Sequence, residues 1–65
     1  MHSYQICILN EALKTKAFIA LSEASDAAAI QTGIRIAGGR GVEVWHDLMC
    51  IYRAVPSKEP ILHAA

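Results

Sequence analysis

The 65-residue chain lacks several features that mark particular classes of protein. Its two cysteines, Cys7 and Cys50, are too few for the disulfide framework of a small secreted domain. Basic and acidic residues number six each, so the chain has no excess positive charge of the kind that drives non-specific nucleic-acid binding. No apolar run approaches the roughly 20 residues that span a bilayer, and no leader pattern precedes the first apolar segment. We therefore expect a cytoplasmic protein without membrane association.

The sequence also lacks a recognisable catalytic or ligand-binding motif. His46, Asp47 and Cys50 are of types that bind divalent metals, but their spacing matches no standard site and fits a polar turn followed by a strand thiol. Both cysteines lie inside apolar strand runs, where burial raises the pKa of a thiol, so neither Cys7 nor Cys50 is favoured as a nucleophile. The segment 38–41, Gly-Gly-Arg-Gly, follows a helix and precedes a strand, the reverse of a phosphate-binding loop. The sequence predicts no enzyme activity, no metal and no cofactor.

Apolar residues, by contrast, are abundant. They make up 54% of the chain, and the mean hydropathy is +0.30. A chain this short buries only about 60% of the surface that its unfolded form exposes, and such chains commonly need additional stabilisation. Self-association would use the surplus apolar surface. The alternative is that alanine inflates the apolar count without adding much buried area.

The apolar pattern predicts a first hairpin. Residues 4–9 and 16–21 are rich in β-branched and aromatic side chains, and residues 10–15 form the loop between them. Ser25 followed by Asp26 favours the start of a helix, because the hydroxyl can cap the first turn and the carboxylate suits the positive end of the helix dipole. Ser22 is the competing cap.

One arc of the predicted helix is apolar. At 100° per residue Ile30 and Ile34 share this arc with Ala27 and Ala37, so we expect the two isoleucines to face the sheet. Gly33 lies at the margin of the arc, where it would permit a close approach. Gly38 and Gly39 then end the helix, since glycine adopts the left-handed conformation that closes a last turn.

A second predicted hairpin follows, with strands 42–45 and 49–53 around a turn at 46–48. The fold class is therefore α+β, a ββαββ domain over residues 1–55 with a four-stranded, largely antiparallel sheet and one helix on one face. Strand order 2-1-3-4 places the doubly apolar first strand centrally; order 1-2-3-4 with a parallel central pair is the alternative. Residues 56–65 are expected to be a flexible C-terminal tail.

The segments 18–29, Phe-Ile-Ala-Leu-Ser-Glu-Ala-Ser-Asp-Ala-Ala-Ala, and 36–45, Ile-Ala-Gly-Gly-Arg-Gly-Val-Glu-Val-Trp, carry a family resemblance. Over residues 4–54 the chain resembles small uncharacterised proteins of rhizobia and related alphaproteobacteria, which have an alanine-rich helix, a Gly-Arg turn and a Glu-Val-Trp strand. The chain differs from them in its loop at 10–14 and in having His46-Asp47 after the tryptophan. The resemblance implies a ββαββ fold and a bacterial origin.

Both faces of the predicted sheet carry apolar side chains, whereas a single helix can cover only one of them. We therefore expect a non-enzymatic interaction protein, either a homodimer or an accessory of a small protein partner, that contacts its partner by sheet-face packing or edge-strand pairing. The expected interface residues are Trp45, Tyr52, Tyr4 and Ile51.

The alternative function is a small nucleic-acid-binding regulator. This hypothesis uses the aromatic and arginine side chains as a base-stacking platform. The residues concerned are Tyr4, Phe18, Arg35, Arg40, Trp45, Tyr52 and Arg53. Because no motif of that class is present and the net charge is zero, nucleic acid is the less favoured partner.

Overall fold

The computed structural model describes residues 1–56, in which four strands and one helix follow the order ββαββ. The elements are β1 (His2–Leu9), β2 (Thr15–Glu23), α1 (Asp26–Ala37), β3 (Gly41–His46) and β4 (Met49–Ala54). The strands form one sheet of order β2-β1-β3-β4, and all neighbours are antiparallel. The predicted fold class and strand order 2-1-3-4 are confirmed. The predicted tail lies outside the described residues from position 57 onward.

The central position of β1 follows from its two apolar faces. Tyr4, Ile6 and Ile8 lie on the side of the helix, and Cys7 and Leu9 point to the other side, yet all five are buried. A strand with apolar residues on both faces loses most from exposure, so it takes the middle of the sheet. Its neighbours β2 and β3 then supply hydrogen bonds along both of its edges.

Local polar contacts set the two hairpin turns. In the first turn, the Asn10 side-chain oxygen accepts hydrogen bonds from the backbone amides of Ala12 and Lys14, at 2.8 and 3.0 Å. In the second turn, between β3 and β4, Asp47 has a φ of 60°, a region that Asp enters more readily than most residues. The register between β3 and β4 shifts next to Trp45, which marks a bulge.

The predicted helix caps are confirmed. The Ser25 hydroxyl accepts a hydrogen bond from the Ala28 amide at 3.2 Å, and Asp26 occupies the first turn. Gly38 closes the other end with a φ of 56° and donates its amide to Ile34. The competing cap, Ser22, lies within β2 instead.

The face of α1 that meets the sheet differs from the predicted one. Ala29, Gly33 and Ala37 are buried against the sheet, whereas Ile34 is 45% exposed and Ile30 is only partly buried. The prediction that both isoleucines face the sheet was therefore wrong for Ile34, whereas Ile30 packs against the edge of the core. The helix is rotated toward its smallest residues, because these let its backbone approach the strands most closely.

Gly33 is the point of closest approach. A Cβ atom at this position would lie 2.9 Å from Val44 Cγ2 and 3.2 Å from Ile6 Cδ1. Val44 and Ile6 are both fully buried beneath it. The helix packs mainly on β3. The central residues of β2 are exposed or only partly buried.

We expect Gly33→Ala to destabilise the protein despite the better helix propensity of alanine. Overpacking a core costs about 1 to 3 kcal/mol, which outweighs the roughly 1 kcal/mol gained in the helix. Urea unfolding of Gly33→Ala, Val44→Ala and the double variant measures the coupling between the two sites. Since Val44→Ala makes room for the new methyl, the double variant should lose less stability than the sum of the single losses. A stabilised Gly33→Ala would contradict the close contact.

Candidate interaction surface

The outer strand β2 presents an unpaired, apolar edge. Its central residues 17–21, Ala-Phe-Ile-Ala-Leu, are called the β2 apolar run below. Phe18 is 60% exposed, Ala17 and Ala20 are exposed, and Ile19 and Leu21 are partly buried. The run contains neither proline nor a charged residue, the devices that usually keep edge strands from pairing. An edge of this kind is a template for another strand.

The opposite edge, β4, is better protected. It spans six residues against nine in β2, carries the charged Arg53 and adjoins the bulge near Trp45. Short length, charge and bulges all disfavour pairing with a further strand. Strand β2 also has a bulge, at Lys16, and carries charge at Lys16 and Glu23, but these positions lie outside its central residues 17–21. The two edges of the sheet therefore differ in their capacity to bind a partner.

The sheet face away from the helix, called the open face, is mixed rather than apolar throughout. Its centre holds Glu43, which accepts a hydrogen bond from the Trp45 indole at 3.1 Å and forms an ion pair with Arg53 at 2.9 Å. Phe18 and Cys7 lie on the same face, opposite each other on β2 and β1. Because the Glu43 carboxylate lies beside the Trp45 ring, Trp45 is not part of a continuous apolar surface on the open face.

The four predicted interface residues do not share one surface. Trp45 lies on the open face, whereas Tyr52 pairs with Val44 and therefore lies on the helix side. Ile51, displaced by the bulge, lines a cleft on the helix side. Tyr4 is only 1% exposed and has no surface to offer a partner in this arrangement.

Tyr4 instead belongs to a polar cluster at the start of the helix. Its hydroxyl donates to Asp26 Oδ1 at 2.7 Å, and His46 Nδ1 lies 3.4 Å from the same oxygen. The rings of Tyr4 and His46 are 4.7 Å apart. Burial, followed by the hydrogen bond and the charge of Asp26, raises the pKa of Tyr4 to about 12. The cluster fastens the first turn of α1 to β1 and β3.

A cleft of about 360 Å³ opens beside this cluster. Its lining residues are Asp26, His46, Asp47, Leu48, Met49 and Ile51. None of these carries a hydroxyl or a thiol, so the polar groups that line the cleft are two carboxylates and one imidazole. Within residues 1–56 no group of three or more potential ligands could hold a metal ion. His46 and Cys50 lie on opposite sides of the sheet, since Cys50 pairs with Trp45.

The two cysteines differ in environment. Cys7 is buried in the central strand as expected, whereas the expectation of burial was wrong for Cys50, which is exposed on the edge strand β4. Burial, and secondarily the nearby Glu43 carboxylate, raises the pKa of the Cys7 thiol. A raised thiol pKa lowers the thiolate fraction and with it the nucleophilicity of Cys7.

The residues considered for base stacking are also dispersed. Arg40 folds back on the helix, where its Nε donates to the Ala37 carbonyl at 2.9 Å, and Arg53 is paired with Glu43. Phe18 and Trp45 share the open face, but β1 separates their strands. Tyr4 and Tyr52 lie on the helix side.

The chain has no match in comparisons with known proteins. No family model matches it, and neither the curated proteins nor the solved structures contain a significant match. No helix among residues 1–56 is long and apolar enough to cross a bilayer. The resemblance to small alphaproteobacterial proteins therefore stays a prediction.

Two features of this surface were missed from the sequence. The contact of Tyr4 with Asp26 joins residues 22 positions apart. The predicted strand order indicated the neighbouring contact between Tyr4 and His46, because antiparallel pairing of β1 and β3 places these two residues opposite each other. The exposure of the central residues of β2 could not be predicted from the sequence, since it depends on where the helix lies across the sheet.

We expect the stability of the protein to fall as Tyr4 ionises. Its folded-state pKa of about 12 lies above the ordinary value of 10.0, so Tyr4 stabilises the fold fully below pH 10 and this contribution is lost toward pH 12. In Tyr52→Phe, tyrosinate absorbance reports Tyr4 alone, because the chain has two tyrosines. In Tyr4→Phe, the stability loss across this pH range should be smaller than in the parent. A Tyr4 titration at the ordinary value would refute the buried hydrogen bond.

We also expect the two thiols to react at very different rates. In Cys7→Ser the exposed Cys50 should react rapidly with a disulfide reagent, whereas in Cys50→Ser the buried Cys7 should react slowly until denaturant is added. Absorbance of the released thiol measures both rates. Equal rates in the folded variants would show that β1 is not shielded.

Proposed function

We propose that this chain is a small, non-enzymatic interaction protein that works as a homodimer, and that β2 is the contact strand. The observation that carries the proposal is the β2 apolar run, an exposed or partly exposed stretch of edge strand that itself contains neither charge nor proline. A second copy would satisfy the outward backbone groups of this edge and bury its apolar side chains. The proposal includes a cytoplasmic location in a bacterium, supported by the free cysteines and the sequence resemblance.

The size of the contact indicates the strength of association. Full burial of a large apolar side chain contributes about 1.5 to 3 kcal/mol, and each net hydrogen bond about 1 kcal/mol. Phe18 would gain most, because Ile19 and Leu21 are already partly buried. Association itself costs about 4 to 15 kcal/mol in lost freedom. We therefore expect dissociation in the micromolar range, with nanomolar affinity requiring contacts beyond β2.

The site geometry favours this proposal over the alternatives. For an enzyme, the carboxylate of Asp26 in the cleft beside His46 is already engaged by the Tyr4 hydroxyl, in a contact that joins the helix to β1. For a nucleic-acid regulator, the candidate stacking residues lie on two sides of the sheet, and Arg53 is neutralised by Glu43. A partner that adds a strand to β2 needs none of these groups.

Sedimentation equilibrium at micromolar concentrations tests the proposal. The mass of the parent chain should rise from its monomer value of 7.1 kDa toward twice that value as the concentration increases. Ala20→Lys should shift the equilibrium toward monomer, because its side chain is exposed in the single chain but lies within the proposed contact. Gln31→Lys adds the same charge to the exposed side of α1 and should leave the dimer intact. Circular dichroism of both variants shows whether each has kept the fold.

A parent mass of 7.1 kDa across this range would contradict the homodimer. Equal dissociation of Ala20→Lys and Gln31→Lys would contradict β2 as the contact. A gel-shift titration with RNA and DNA at low salt addresses the second function. Tight, salt-sensitive binding would favour the regulator, because phosphate contacts weaken as salt rises.

A further inference from the structure

We propose that two copies of β2 pair antiparallel about a two-fold axis at Ile19, and that the dimer is a continuous eight-stranded sheet with both helices on one side. The inference rests on the proposed function and specifies the geometry of the contact. It follows from three properties of β2: the charges at its ends, the extent of its apolar run and the sizes of its side chains.

The charges at the ends of β2 determine the direction of pairing. Lys16 stands near its start, directly after Lys14 and Thr15, and Glu23 is its last residue. An antiparallel pair places the basic end of each strand beside the acidic end of the other. A parallel pair would place like charges together at both ends, which is unfavourable between neighbouring strands. Charge complementarity therefore selects the antiparallel arrangement.

The β2 apolar run determines the register. Its centre is Ile19, so an axis there pairs all five residues of the run with apolar residues of the second copy. Moving the axis to Ala20 would pair Ala17 with Glu23. Moving it to Phe18 would bring Lys16 opposite Ala20. Only the Ile19 axis keeps charged residues out of the paired run.

Side-chain sizes agree with the same register. On the open face, Phe18 of each copy would lie opposite Ala20 of the other, and on the helix side Leu21 would lie opposite Ala17. Each large side chain thus meets a small one, which allows close packing across the axis. Ile19 would meet its own copy at the centre.

The arrangement also places the helices. An antiparallel two-fold pair of strands has its axis perpendicular to the sheet, so both copies present the same face. The two α1 helices would lie on one side, each over its own β3, and the two copies of β2 would lie between them. The helix-side residues Ala17, Ile19 and Leu21 of both copies would form an apolar floor between the helices.

A disulfide scan across the β2 apolar run tests the register. In a background with Cys7→Ala and Cys50→Ala, single cysteines replace each residue from 17 to 21, and the variants are oxidised under mild conditions. Directly opposed Cβ atoms lie about 4.5 to 5.5 Å apart, close to disulfide reach, whereas diagonal ones lie about 7 to 8 Å apart. Ile19→Cys should therefore cross-link to itself at least about tenfold faster than Phe18→Cys or Ala20→Cys.

An equimolar mixture provides the matched control. When Phe18→Cys and Ala20→Cys are oxidised together, the mixed disulfide should dominate over both self-linked products, and mass spectrometry separates the three. Fastest self-linking at Ala20 or Phe18 would overturn the register but leave the β2 contact. A dimer by sedimentation without cross-linking at any of the five positions would overturn both the register and the β2 contact. A monomer by sedimentation would overturn the proposed function itself.

Discussion

The contact between Gly33 and the sheet is the constraint on which the rest of the structure depends. With no side chain at this position, α1 approaches Val44 and Ile6 so closely that an added Cβ would overlap them. A 12-residue helix is about 18 Å long and 10 Å wide, whereas four strands measure about 19 Å across. Close packing over β3 determines where the helix lies, and the central residues of β2 are exposed or only partly buried.

The β4 edge and the open face both carry charged side chains, which the middle of β2 lacks. Arg53 and a bulge protect the β4 edge, and the same arginine pairs with Glu43 to place charge on the open face. The hydroxyl of Tyr4 is satisfied by Asp26 beneath the helix. The β2 apolar run has no comparable protection among the described residues. Strand β2 is therefore the surface at which a partner would bury the most unprotected apolar backbone and side chain.

Much of the fold could be predicted because its signals are local. The apolar faces of β1 indicated a central strand, and Ser25 and Gly38 marked the ends of α1. The rotation of the helix could not be predicted from periodicity, since a hydrophobic arc counts the bulk of Ile34 but not the close approach that Gly33 permits. The interface prediction assumed that the side chains of Tyr4 and Tyr52 are exposed to a partner. Their position beneath or beside α1 depends on contacts between distant residues, such as that of Tyr4 with Asp26.

Hydrogen exchange of the backbone amides tests most directly the claim that β2 is the strand a second copy covers. The two edge strands serve as internal references for each other, because both lack a further neighbour in the single chain as described. At high protein concentration, the outward amides of β2 should exchange slowly and those of β4 rapidly, and dilution should remove the protection of β2 alone. Equal, concentration-independent exchange at the two edges would contradict the account.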